Sequence, residues 1–321
     1  MRRLFVFVFF FGALLVLPAC QKESAHRFSP QVQKQVALLP TDADVIGFLD
    51  IQAMQKSGFF DFITDSLKAE LNEDEDFKAL MDELGLEPKK DIQRMYFAAH
   101  YKGEDNLQVL LITEGNFQPQ KILAKIEKET TNQDVKKTTY DKYELYLFPK
   151  DKAFAFTDNQ RMITGSVQWV KLYLDKLSDR QPALTSDLKK RIEKLPYTNQ
   201  AWLLTRIGQW TKKIENDSEQ PRLEGLSSLQ QLDFAMDLNE QLRFYSQATF
   251  DNREMCQLFT DAVKGLIAAG KLAVSENRSV VDVLNKIDIQ NDGLNLEVRF
   301  EISHDDFQKL LDSKKNLAIK I

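Results

Sequence analysis

Hydrophobic and polar positions along this chain fall into two rhythms, one of period two and one of period near 3.6. The period-two rhythm is plainest near the C-terminus. There Leu294, Leu296, Val298, Phe300 and Ile302 alternate with Asn295, Glu297, Arg299 and Glu301. Such alternation predicts a strand with one face buried and one wet. Asn291-Asp292-Gly293 just before it predicts a hairpin turn. The helical rhythm is plainest over Arg253 to Ala273, where Leu258, Phe259, Ala262, Val263, Leu266 and Ile267 share one face. Shorter helices are predicted over Pro119 to Glu129 and around Trp169, Val170, Tyr173, Leu174 and Leu177. Another is predicted from Thr185 to Leu195.

The order of elements suggests a duplicated chain. Leu39-Pro40 precedes an apolar strand from Val45 to Asp50, and Leu195-Pro196 precedes one from Ala201 to Ile207 at the same spacing. The segments Ile92 to Ala98 and Leu229 to Ala235 then correspond. So do the strands Leu107 to Thr113 and Leu242 to Phe250, each with a helix after it. Tyr143 to Phe148, Ala153 to Thr157 and Met162 to Ser166 read as further strands of the first copy, and a helix beginning near Phe307 closes the second. The fold expected is α+β, in two similar halves. Each half is a largely antiparallel sheet with helices packed on one face. The boundaries expected are 1–19 for a signal peptide, 20–36 for a tether, 37–180 for the first repeat and 181–321 for the second.

Length and composition agree with a folded protein. Hydrophobic residues are 43% and charged residues 28% of 321. The formal net charge is −5. Removing residues 1–19 takes away Arg2 and Arg3 and no acid, which leaves −7. A mildly acidic chain has no basic face for nucleic acid and no polybasic grip on anionic lipid, so no nucleic-acid partner is expected.

A different membrane hold is written at the N-terminus. Arg2 and Arg3 precede the uncharged apolar run Leu4 to Leu17, 14 residues long. That is short of the roughly 20 residues a spanning helix needs, and it fits a cleaved signal peptide. Leu17-Pro18-Ala19-Cys20 follows. This resembles the lipobox of bacterial lipoproteins, although Pro18 departs from the usual residue at its position. The resemblance implies cleavage after Ala19, lipid (palmitate among it) on Cys20, and an envelope location held to a membrane by that lipid. Gln21 and Lys22 carry no aspartate sorting signal, which in a Gram-negative cell implies the outer membrane, facing the periplasm. With Cys20 lipidated, Cys256 has no disulfide partner, and its setting among Met255, Leu258 and Phe259 predicts a buried small hydrophobe. The Leu39-Pro40-Thr41-Asp42-Ala43-Asp44 start of the folded part also resembles a loosely defined set of uncharacterised exported proteins, a resemblance that implies no activity.

No catalytic motif is legible. The histidines His26, His100 and His304 are scattered, with no His-x-x-x-His or Cys-x-x-Cys pair, so no metal and no cofactor are expected. Glu73-Asp74-Glu75-Asp76 lacks the alternation of a calcium loop and suits a helix N-terminus. Thr164-Gly165-Ser166 lacks the second glycine of a nucleophile elbow. Ser303 with Asp305 and Asp306 reads as a helix cap rather than part of an acid–base set with His304. Phe59, Phe60, Trp202 and Trp210 suit a ligand groove or, more simply, a core. The function expected is that of a non-catalytic binding or interaction protein in the envelope, with an envelope protein or an apolar ligand as partner. Alternatives are a carrier or chaperone for a lipid or other apolar ligand, and an enzyme without a recognisable motif.

Overall fold

A computed structural model describes residues 29–61, 87–103, 107–129, 135–178, 183–208 and 226–310. The fold is α+β with antiparallel strand pairing throughout. Two compact units divide the chain: Arg27–Lys194 with Thr198–Thr205, and Leu195–Tyr197 with Arg206–Ile321.

The first unit begins with α1 (Pro30–Leu38), β1 (Val45–Asp50) and α2 (Ile51–Met54). Next come α3 (Pro88–Asp91), the hairpin β2 (Ile92–Tyr101) and β3 (Leu107–Gly115), and α4 (Pro119–Glu129). A meander follows, of β4 (Lys136–Tyr140), β5 (Tyr143–Phe148), β6 (Lys152–Asp158) and β7 (Arg161–Ser166). Then come α5 (Val167–Ser178), α6 (Ser186–Lys194) and β8 (Ala201–Thr205). The strands lie in the order β8-β1-β2-β3-β7-β6-β5-β4. Their register lines up Trp202, Phe48, Tyr96, Ile112, Ile163 and Ala155 in one row across the sheet. All six are buried, so the row is the spine of this core.

Helix α5 covers that face. It follows β7 without a loop and packs on β3, β6 and β7, burying Trp169, Val170, Tyr173 and Leu174. Close approach of the strands beneath it requires Gly165. A Cβ there would strike the Val109 carbonyl and stand 2.9 Å from the Leu110 Cα, and neither backbone atom can yield. The sequence reading has helices on one face only, but α4 packs on the other. Its Ile122, Leu123 and Ile126 stripe meets Phe154, Met162 and Tyr146, which alternate to the side opposite Ile163. Both faces of β5–β7 are apolar enough to need cover.

Two expected boundaries shift. Residues 30–36 fall in the expected tether, yet they form most of α1. Pro30 starts the helix, and Val32, Gln35 and Val36 are buried in it. The Gln35 amide oxygen accepts a hydrogen bond from the Tyr173 hydroxyl at 3.0 Å. The first unit also runs past the expected limit at 180 to take in α6 and β8. Four of the five β8 residues are buried, and Ala201 to Thr205 pair with Leu49 to Val45 of β1.

The second unit holds β9 (Leu229–Asp237), β10 (Gln241–Phe250), α7 (Arg253–Ala273), α8 (Arg278–Leu284), β11 (Asp288–Asn291) and β12 (Asn295–Ser303). The strand order is β11-β12-β10-β9. A helix begins at His304, with Phe307 buried. Alternation puts Leu242, Phe244, Ala248 and Phe250 of β10 on one face with Leu296, Val298, Phe300 and Ile302 of β12, all buried. The predicted turn is present, with Gly293 at φ 103 and the Asn291 side chain accepting from its N–H at 2.7 Å.

Candidate functional site

Helix α7 is 21 residues long and starts from a side-chain cap, Asn252, whose oxygen accepts from the Glu254 and Met255 N–H groups. Its inward face carries Met255, Cys256, Phe259 and Val263, which pack on Leu229, Ala248, Phe250, Leu296 and Val298. Thr260 is buried with them, donating to the Cys256 carbonyl at 2.7 Å and accepting from the Asn291 amide at 2.8 Å. Burial pushes the Cys256 thiol above its ordinary pKa, so it is an inert core group, as its sequence setting predicts.

A second apolar stripe runs along a different side of the same helix. Leu258, Ala262, Leu266 and Ala269 recur at three- and four-residue spacing, with Gly265 and Leu272 beside them. All are exposed: Leu258 at 53%, Leu266 at 75% and Leu272 at 77%. Space beside Gly265 is open. The charged and polar residues Arg253, Gln257, Asp261 and Lys264 take a third side. The apolar arc read from the sequence as one core face is therefore two faces. Phe259, Val263 and Ile267 lean inward, while Leu258, Ala262 and Leu266 face out.

The other concentration of chemistry lies in the first unit, on four residues that no sequence motif singles out. Register sets Asp50 opposite Arg94, Arg94 opposite Glu114, and Glu114 opposite Arg161 on β1, β2, β3 and β7. Asp50 meets the Arg94 Nε at 2.9 Å. Glu114 lies 3.7 Å from Arg94 and 3.0 Å from Arg161, and accepts from the buried Tyr96 hydroxyl at 3.4 Å. Burial raises the pKa of both Tyr96 and Tyr173 beside this chain. Each acid is matched by a base across the ladder, so the cluster acts as a brace. It was illegible because its four members are 44, 20 and 47 positions apart and only the register joins them.

The remaining candidates have structural settings. His100 pairs with Asp44 at 2.8 Å, and Asp44 also accepts the Tyr101 N–H. The Ser303 oxygen accepts the Asp306 N–H at 3.2 Å and caps the helix that starts at His304. Asp306 is held by Lys286 at 2.9 Å and Lys309 at 3.1 Å, which lowers its pKa to about 2. Thr164 and Ser166 spend their hydroxyls on the Ala153 carbonyl and the Val109 N–H. Phe59, Phe60 and Trp202 are buried. Ala19, Cys20, His26, the run Glu73 to Asp76, and Trp210 lie outside the described residues. Among the described residues no group of three or more His, Cys, Asp or Glu gathers to hold a metal. No helix among them is long and apolar enough to cross a membrane.

No protein-family model matches this chain, and no curated protein does. Among solved structures it is similar to TP0453. Crystal form III of that protein matches over 87% of this chain and 97% of its own, at 13% identity and a TM-score of 0.48. Form I matches over 90% and 99%, at 12% identity and a TM-score of 0.46.

Proposed function

We propose that this protein is a lipid-anchored, non-catalytic binding protein of the cell envelope, tethered through Cys20, that docks a partner protein on the outward face of α7. The observation that carries the docking reading is the exposed stripe of Leu258, Leu266 and Leu272. Isolated exposed leucines are ordinary, but three along the outward side of one helix make an interaction surface. Ala262, Gly265 and Ala269 fill the spaces between them. Small residues let another backbone approach closely, which suits an apolar groove or helix on a protein. A helix that lies in a bilayer interface carries bulky apolar side chains and a strongly basic polar face, whereas here Glu254 and Asp261 share the polar side with Arg253 and Lys264.

A photo-crosslinking side chain at position 266, in the native membrane, tests the docking face. A discrete protein adduct that is absent from position 261, and is lost when Leu258 and Leu272 become serine, is the expected result. An adduct of twice the chain mass makes the partner a second copy. Lipid adducts alone, or none, overturn the reading. The tether is tested separately by labelled palmitate, which Cys20→Ser must abolish.

A further inference from the structure

Strands β5 and β6 begin as a regular hairpin and then part. They are joined by residues 149–151, with Lys150 and Asp151 in left-handed conformations at φ 59 and 57. Phe148 pairs with Lys152, Leu147 with Ala153 and Tyr146 with Phe154, and there the pairing stops. Both strands continue nonetheless. β5 stays on β4 as far as Tyr143↔Tyr140, and β6 stays on β7 as far as Asp158↔Arg161, with a register shift after Phe156. Peptide groups along an antiparallel strand turn alternately to one neighbour and the other. Two positions beyond Tyr146 and Phe154 are Glu144 and Phe156, so their peptide groups turn toward each other across the opening, beyond the end of the ladder.

A cleft of about 460 Å³ occupies this place, within the usual range for a binding pocket. Leu123, Tyr143, Tyr146 and Phe156 give it apolar walls, with Lys142 and Glu144 among its other lining residues. Glu144 is neutralised by Lys137 at 3.1 Å, and Glu127 shares that ammonium at 3.2 Å. Lys142 stands over the Tyr143 ring at 5.3 Å and meets no carboxylate among the described residues.

We propose that the opening between β5 and β6 is a peptide-binding site that takes an extended segment of a partner protein. The segment's main chain bonds to the Glu144 and Phe156 peptide groups, and one apolar side chain enters the cleft beside Leu123 and Phe156. Strand addition of this kind draws affinity from the main chain and selectivity from the pocket for alternate side chains. An acidic group on the segment would meet Lys142. The proposal rests on the reading of this chain as a binding protein, but on residues unrelated to α7 or Cys20, so failure at either of those leaves it standing.

The test uses soluble protein, residues 21–321, and a phage-displayed random heptapeptide library. Clones are selected on the wild type and counter-selected on Leu123→Trp, which fills the cleft. The expected outcome is peptides alternating apolar and polar residues, at least about tenfold tighter on the wild type. Backbone N-methylation of such a peptide should abolish binding while keeping its side chains. Hydrogen exchange supplies a reading independent of peptide choice and of how well the variant folds. The Glu144 and Phe156 amides should exchange faster than those of Leu145 and Ala155, and slow when a selected peptide is added. Failure of every clone to distinguish the two proteins overturns the proposal. So does undiminished binding of the methylated peptide, which would mark a pocket for apolar side chains alone, or slow exchange at both amides in the free protein.

Discussion

Helices α5 and α7 are both amphipathic, and each follows a strand of its own unit's sheet, yet they end in different surroundings. α5 is 12 residues long and buries Trp169, Val170, Tyr173 and Leu174. α7 is 21 residues long and buries only Cys256 and Thr260. α5 lies over three strands whose buried row needs cover, so its apolar residues are consumed by the core. α7 meets its sheet mainly through its first half, and its apolar surface exceeds what four strands can take up. The difference teaches that amphipathicity reports surface to be covered and not the cover. Where the chain itself supplies none, the surplus is the place to look for function.

The sharpest way to break this contrast is truncation on the two helices. Trp169→Ala removes a side chain that is 2% exposed and should cost about 3–5 kcal/mol in chemical denaturation. Leu266→Ala removes one that is 75% exposed and should change stability by less than about 0.5 kcal/mol. A loss above about 2 kcal/mol from the second substitution would show that the leucine is covered within the chain, and the docking face would fall with it. Gly165→Ala, beneath α5, should cost about 1–3 kcal/mol by overpacking against the backbone of β3.

Much of the fold was legible, for reasons that differ between elements. Arg253 to Ala273 was read to the residue, because its helical period persists over several turns. The strands from Leu107, Tyr143 and Leu242 were found within a residue or two at each end, since alternation and bounding turns mark them. β4 was missed: Lys136-Lys137-Thr138-Thr139-Tyr140 is an exposed edge with no apolar alternation. α1 was missed as helix because its polar positions are as many as its clearly apolar ones, Gln31, Gln33, Lys34 and Gln35 against Val32, Val36, Ala37 and Leu38, and its cover comes from α5, far along the chain. The candidate sites were the least legible. The outward stripe of α7 was visible as a set of residues but merged with the inward one. They lie about 100° apart on a 3.6-residue helix, close enough to read as a single broad face. The opening between β5 and β6 leaves no local trace, because both strands have ordinary strand sequences and only the pairing register shows where they part.

A smaller effect separates the second unit by pH. Lys286 and Lys309 hold the Asp306 carboxylate, so its pKa falls from the ordinary value to about 2. A group with a depressed folded pKa adds stability above its unfolded pKa, near 4, and loses that contribution as pH falls toward the folded one. Asp306→Asn should therefore lower stability at pH 6. The site is partly solvated, so the cost should be about 1 kcal/mol. The gap between variant and wild type should close between pH 4 and pH 2. A gap that persists at pH 2 would mean the asparagine disturbs the Ser303 cap rather than the ion pairs.

The smallest effect bears most directly on why α7 is built as it is. Glycine within a helix costs about 1 kcal/mol relative to alanine, and Gly265 sits in mid-helix with nothing within 4 Å of where a Cβ would stand. Gly265→Ala should thus stabilise the protein by about 0.5–1 kcal/mol. If the outward face receives a close-packed partner, the added methyl group stands where the partner's backbone would lie. The same variant should then give less of the 266 adduct in native membranes while melting higher. Stabilisation with an undiminished adduct would mean the partner contacts Leu258 or Leu272 without approaching the helix axis between them. A helix that gained both stability and crosslinking from the alanine would leave the glycine without a role in docking.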